Sequence, residues 1–277
     1  MADKAVAVLI SGRGSNMMAL VEQARGYRVA LVASDKPDAA GLAWAAERGL
    51  PTWSLSPKGI GKPAYEAQLD QALHDAGIGT IALAGYMRLL SDTFVSRWRG
   101  RIVNIHPALL PLYKGLDTHA RVIQAGDGEA GCSVHVVTEE LDGGTVLGQS
   151  RVPILPGDDA DALAARVLTA EHLLYPRILT EFVMTPLDRI RDMASILPEA
   201  EERTAQGETI FAVADQPFAR WTGGGTLNVR IAASDESVAE WTAIALGDDA
   251  DWTLVEDRIA RSWELTAPAH LLEAGGR

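Results

Sequence analysis

Cysteine is nearly absent from this chain: Cys132 stands alone, which excludes an internal disulfide. Its setting, Gly131-Cys132-Ser133-Val134-His135-Val136-Val137, reads as a strand in which a packed thiol is the expected role rather than a nucleophile. With one cysteine and 6 scattered histidines there is no zinc-ligand spacing, so no metal is expected. No apolar run approaches the ~20 residues that span a bilayer. The opening Met1-Ala2-Asp3-Lys4 leads straight into a strand rather than a signal segment, so a cytoplasmic chain without a membrane partner is expected. Lysine is missing after Lys114, and the formal net charge of −12 disfavours nucleic acid and acidic membrane surfaces as partners.

What is present is a core-forming composition, with 47% hydrophobic residues in 277, enough for one large domain or two. Apolar runs near 5–10, 28–33, 52–55, 80–84 and 102–105 read as strands, with helices near 16–25, 39–48, 63–76 and 91–98 between them. That alternation predicts an α/β fold, a mainly parallel sheet with helices on both faces. Residues 131–137 and 145–153 follow as a strand pair, and 158–184 as a long closing helix. Ligands of such sheets bind beyond the carboxyl ends of the strands, where Asn16, Met87 and His106 all fall.

The chemistry centres on Ile102-Val103-Asn104-Ile105-His106-Pro107 and on Glu140-Leu141-Asp142-Gly143-Gly144. Residues two apart on a strand share a face, so the Asn104 amide and the His106 imidazole project together where Pro107 ends the ladder. A carboxylate on a Gly-Gly turn can approach them. Together the three supply an oxyanion donor, a tunable imidazole and an acid–base partner without a metal. Each also has a plain structural reading: a polar strand end for His106, a turn residue for Asp142, a helix-surface carboxylate for Glu171. His119 after Asp117-Thr118 reads equally as a helix start. Ser11-Gly12-Arg13-Gly14-Ser15-Asn16, between a strand and a helix, is either an anion-binding loop or a tight turn. It is neither a full dinucleotide fingerprint nor a Walker loop, which disfavours NAD and ATP.

These segments, with Ala84 to Leu90, Asn104 to Pro111, Gly115 to His119 and Ala170-Glu171-His172, closely resemble the folate-dependent phosphoribosylglycinamide formyltransferase family, in order over residues 5 to 185. The resemblance implies formyl transfer from 10-formyltetrahydrofolate, a cosubstrate rather than a tightly bound cofactor, to the amine of glycinamide ribonucleotide in purine synthesis. It implies Asn104, His106 and Asp142 as the catalytic trio. Gly14, Ser15, Asn16 and Glu171 would contact the nucleotide substrate. Folate contacts would come from Lys62, Met87, Arg88, Leu89, Leu90, Thr138, Glu139, Glu140 and Leu141, together with Asn104 and Asp142. Lys62 stands where many members have Arg, Asp117 where His is common, and Cys132 where Thr is common; Leu168 replaces a frequently polar residue. Since no Ser or Cys is placed as a nucleophile with a base, direct transfer without a covalent intermediate is the expected route. The rivals are a 10-formyltetrahydrofolate hydrolase and a non-catalytic folate-binding protein, and a homodimer is left open.

Composition shifts after residue 186. Residues 190–277 hold 16 acidic against 7 basic residues, a net of −9, and Trp221, Trp241, Trp252 and Trp263 are four of the 7 tryptophans. We expect a formyltransferase domain over 1–186 and a small α+β domain over 187–277. In the second we expect a helix at 187–195, strands at 209–214, 217–221 and 226–232, a helix at 235–246, a strand at 252–255 and a helix at 256–265. Leu197 to Glu202, Phe211 to Arg220, Leu227 to Arg230 and Trp263 to Pro268 give this stretch a faint resemblance to YjbR-type domains. Such domains are often called DNA-binding, but the acidity points to stabilisation or protein contact instead.

Overall fold

The structure, a computed structural model, describes residues 4–232, 239–247 and 250–275. It divides into two compact units that meet in sequence at Val183 and Met184.

The first unit runs β1 (Lys4–Ile10), α1 (Ser15–Glu22), β2 (Tyr27–Ser34), α2 (Ala40–Glu47), β3 (Thr52–Ser54), α3 (Lys62–Asp75), β4 (Thr80–Leu83), α4 (Asp92–Arg97), β5 (Ile102–His106), α5 (Thr118–Ala125), β6 (Glu129–Val136), β7 (Val146–Pro153) and α6 (Ala160–Val183). Its sheet has the order β3-β2-β1-β4-β5-β6-β7. The first five strands are parallel, and β6 and β7 extend the sheet antiparallel. The expected α/β sheet is therefore observed.

β1 shows why the sheet forms. Val6, Val8 and Ile10 pack into one core, and Ala7 and Leu9 into another on the opposite face. A strand buried on both faces needs an unbroken apolar run, and residues 5–10 supply it. α6 closes the first of these cores with a stripe of Leu163, Val167, Leu174 and Ile178. The buried hydroxyl of Tyr175 in the same helix donates to the carbonyls of Leu83 and Val103, each at 3.1 Å, which fixes α6 against β4 and β5.

The second unit runs α7 (Pro186–Ser195), β8 (Glu201–Ala205), β9 (Glu208–Val213), β10 (Gln216–Trp221), β11 (Thr226–Ala232), β12 (Ala239–Ala245), α8 (Trp252–Glu264) and α9 (Ala269–Gly275). The strands form an antiparallel meander, β12-β11-β10-β9-β8, with its own core around Phe211, Phe218, Val229, Ile259 and Trp263. Two expected elements are corrected. Of the helix expected at 235–246, residues 239–245 are a strand paired along its length with β11; residues 233–238 lie outside the described ones. The strand expected at 252–255 is the first turn of α8, because the Asp251 carboxylate accepts from the N–H groups of Thr253 and Leu254, both at 3.1 Å, and starts a helix there. β8 escaped sequence reading because all five of its residues are exposed, leaving no apolar alternation.

Candidate active site

The β5–β6 pairing brings the polar residues of two strands together. Asn104 lies opposite His135, and His106 opposite Ser133. Val103, Ile105, Cys132 and Val134 take the other face and join the apolar core. Period-two alternation thus separates chemistry from packing on both strands. Past the end of β6 the chain turns through Asp142, which has a left-handed φ of 47°. Gly144 permits the return, since a Cβ there would collide with the carbonyl oxygen of Val136.

Asp142 reaches both imidazoles. Its Oδ2 lies 3.5 Å from His106 Nδ1, and its Oδ1 3.6 Å from His135 Nε2. The Gly115 N–H donates to Oδ2 at 2.9 Å and anchors the carboxylate. The outer nitrogen of each imidazole is held by a carbonyl, which can only accept. His106 Nε2 donates to Tyr113 at 2.9 Å, and His135 Nδ1 to Val136 at 3.0 Å. The inner nitrogens, His106 Nδ1 and His135 Nε2, therefore face the carboxylate, and Asn104 Nδ2 lies 3.2 Å from His135 Nε2. Burial pushes the Asp142 carboxyl up, but its contact with His135, the Gly115 N–H and the charges of both imidazoles outweigh that and hold it below the usual carboxylate range.

His135 was missed by sequence reading, and so was Ser133. Ser133 Oγ donates to the Ala108 carbonyl at 2.6 Å and accepts from Leu110 N at 3.0 Å, shaping the turn that follows His106. The only sequence signal was that both residues alternate with Val134 on a strand whose partner carries Asn104. Burial, with a contribution from the neighbouring His106, holds His119 below the usual imidazole range. Cys132 is fully buried and its thiol is pushed up to about 12, a packed side chain as expected.

A second polar cluster forms at the end of β1. Gly14 takes a left-handed φ of 75° at the start of α1, where a Cβ would stand 2.9 Å from Met17 Cε and 3.3 Å from Gly41 Cα. The buried Asn16 donates through Nδ2 to Glu171 Oε2 at 2.7 Å, while its Oδ1 is buried without a partner. Burial raises the Glu171 carboxyl although the Asn16 bond opposes it. Ser15 follows Gly14 as the first residue of α1, so three successive residues meet the helix N-terminus.

The remaining candidates are surface features. In the segment after β4, Met87 and Leu89 are 63% and 69% exposed, large apolar groups with nothing over them. Arg88 lies over the Tyr65 ring at 5.2 Å, and Leu90 packs against the core beneath the sheet. Leu141 is exposed beside Asp142, Glu139 pairs with Arg99 and Glu140 with Lys114, each at 2.7 Å, and Thr138 Oγ1 donates to the Glu140 carbonyl at 3.4 Å. Lys62 is exposed in the first turn of α3. Among the described residues no group of side chains could hold a metal, and no helix is long and apolar enough to cross a membrane.

An open α/β sheet bearing an amide, two imidazoles and a shared carboxylate past its strand ends has the groups that acyl-type transfer needs. The chain belongs to the formyl transferase family, whose sequence model matches residues 4–179. Within that family it is similar to the phosphoribosylglycinamide formyltransferase of Escherichia coli strain K12, 43% identical over 182 residues that make up 64% of this chain and 86% of that protein. The structure of the Brucella melitensis phosphoribosylglycinamide formyltransferase superposes with a TM-score of 0.63 at 48% identity, covering 66% of this chain and 97% of that one. The Drosophila melanogaster trifunctional purine biosynthetic protein adenosine-3 is 46% identical over 187 residues, 65% of this chain, but the chain spans only 14% of that protein's length.

Proposed function

We propose that this chain transfers the formyl group of 10-formyltetrahydrofolate to the amine of glycinamide ribonucleotide, a step of purine biosynthesis. The observation that carries the reading is the approach of Asp142 to His106 beside Asn104, in a chain 43% identical to a protein named for this reaction. The amine lone pair attacks the formyl carbon, and the carbonyl electrons move to oxygen. The Asn104 amide and the N–H on His106 Nδ1, the imidazole nitrogen not spent on Tyr113, donate to that oxyanion. Asp142, 3.5 Å from the same nitrogen, stabilises the imidazolium charge and takes the proton released by the amine, directly or through water. Collapse of the tetrahedral intermediate breaks the bond to folate N10, which leaves with a proton. No covalent enzyme intermediate is needed.

Gly14, Ser15 and Asn16 present a helix N-terminus and backbone N–H groups to the ribonucleotide phosphate, with Arg13 exposed beside them. Glu171 and the unpartnered Asn16 Oδ1 supply acceptors for sugar hydroxyls. Met87 to Leu90 and Thr138 to Asp142 line the pterin side, and Lys62 offers a point charge to the folate carboxylates. The test is formyl transfer with and without glycinamide ribonucleotide. Folate deformylation at the same rate without the nucleotide would identify a hydrolase, and folate binding without turnover a non-catalytic binder.

A further inference from the structure

The segment carrying Met87 to Leu90 is pinned at both ends by buried side chains from other elements. At its start, the Met87 N–H donates to Ser11 Oγ at 2.9 Å, and the Ser11 N–H donates to the Gly85 carbonyl at 3.1 Å. Ser11 Oγ donates in turn to Asp35 Oδ1 at 2.6 Å, which aims its lone pairs at Met87. At the far end, the Ser91 N–H donates to Glu66 Oε1 at 2.8 Å, and Ser91 Oγ bonds the other Glu66 oxygen. Ser11, Asp35 and Glu66 are buried at 4%, 8% and 7% exposure, and the Ser11 hydroxyl and both Glu66 oxygens are engaged in these bonds.

The two pins differ in what they join. Glu66 ties the segment to α3 alone. Ser11 is the last residue before Gly12 to Asn16, so its bonds stitch the phosphate-side loop to the pterin-side segment. We infer that Ser11 is a positioning residue coupling the two substrate subsites: ordering of one loop by its ligand passes through Ser11 to the backbone of the other, so each substrate tightens the other. This rests on the functional reading above. Linkage requires the coupling to be equal in both directions. Its carrier is a hydroxyl whose removal takes the partner from the Met87 N–H and from one oxygen of the buried Asp35 carboxylate.

The test uses the full chain with glycinamide ribonucleotide and tetrahydrofolate, a pair that binds without reacting. Calorimetry gives each Kd alone and in the presence of the other, and hydrogen exchange reads the Met87 amide. The wild type should show a mutual tightening of about 5-fold or more. Ser11→Ala should bring that factor to about 1 and speed Met87 exchange. Glu66→Ala should weaken tetrahydrofolate by roughly 5- to 100-fold, the loss expected for a buried hydrogen-bonded pin, and keep the coupling. Ser11→Thr, which retains the hydroxyl, should restore coupling. Asp35→Ala, which frees the hydroxyl to rotate without altering Ser11, should lower it, and this variant decides the matter if Ser11→Ala does not fold. Wild-type coupling in Ser11→Ala despite faster Met87 exchange would overturn the inference, as would independent binding in the wild type. Failure of the wild type to bind either ligand would instead overturn the functional reading.

Discussion

Asp142 carries two loads, serving as an anchored buried carboxylate and as the group that faces both His106 and His135. Asp142→Asn keeps the shape and the Gly115 bond but removes the charge and the proton acceptor. Turnover should fall by roughly 10²-fold or more, the typical worth of an acid–base partner, with little change in substrate KM. Steady-state kinetics checks this, and near wild-type turnover would remove Asp142 from the mechanism. The two key carboxyls also shift in opposite directions. The folded pKa of Asp142 is depressed, so its contribution to stability is present above the ordinary carboxylate pKa and is lost as pH falls through the depressed value. The folded pKa of Glu171 is raised, so its contribution is present below the ordinary value and is lost as pH rises through the raised one. Glu171→Gln, which can still accept from Asn16, should therefore raise the neutral-pH Tm of the ligand-free protein. Thermal melts from about pH 4 to pH 7 bracket the carboxylate range, and the gain should shrink toward the acid end. A lower Tm for this variant at neutral pH would contradict the assigned direction.

At the scale of elements, the loop into α1 depends on backbone conformation. Gly14→Val would put a branched side chain where φ is 75° and where the first carbon alone meets Met17 and Gly41. The KM for the ribonucleotide should rise far more than that for the folate; equal effects on both would indicate a folding defect instead. The turn into α1 was legible in sequence because Gly12 and Gly14 separate an apolar run from a helical pattern, while the residues left an anion-binding loop and a tight turn both open. The strand carrying Asn104 and His106 was legible because a two-residue spacing needs only the period of a strand. His135 was not, because its partnership with Asn104 depends on the register of β5 against β6, and register is set by the whole sheet rather than by either segment. Ser11, Asp35 and Glu66 were missed for a similar reason: their partners lie 24 to 76 residues away. In the second unit, Ala239 to Ala245 reads as helical by alanine content, yet pairing with β11 makes it a strand. Trp252 to Val255 reads as a strand by side-chain type, yet the Asp251 cap makes it a helix.

At the scale of the whole molecule, every candidate catalytic and binding residue precedes Val183, and the first unit holds two cores of its own. The domain division we propose, 1–186 and 187–277, follows from this. A chain ending at Pro186 should fold and retain formyl transfer, with removal of the second unit felt as altered stability or assembly. Activity and melting of the truncated chain against the full one check this, and a folded but inactive truncation would show that the second unit completes the site. The bond between Asn16 and Glu171 joins residues 155 apart. During synthesis the phosphate loop emerges early, whereas its carboxylate partner emerges only with α6, the last element of the unit. A nascent chain lacking that helix has the glycine loop but not the Asn16–Glu171 bond. On the function proposed above, acquisition of the nucleotide then belongs to the end of translation of this unit, however early its first strand pairs.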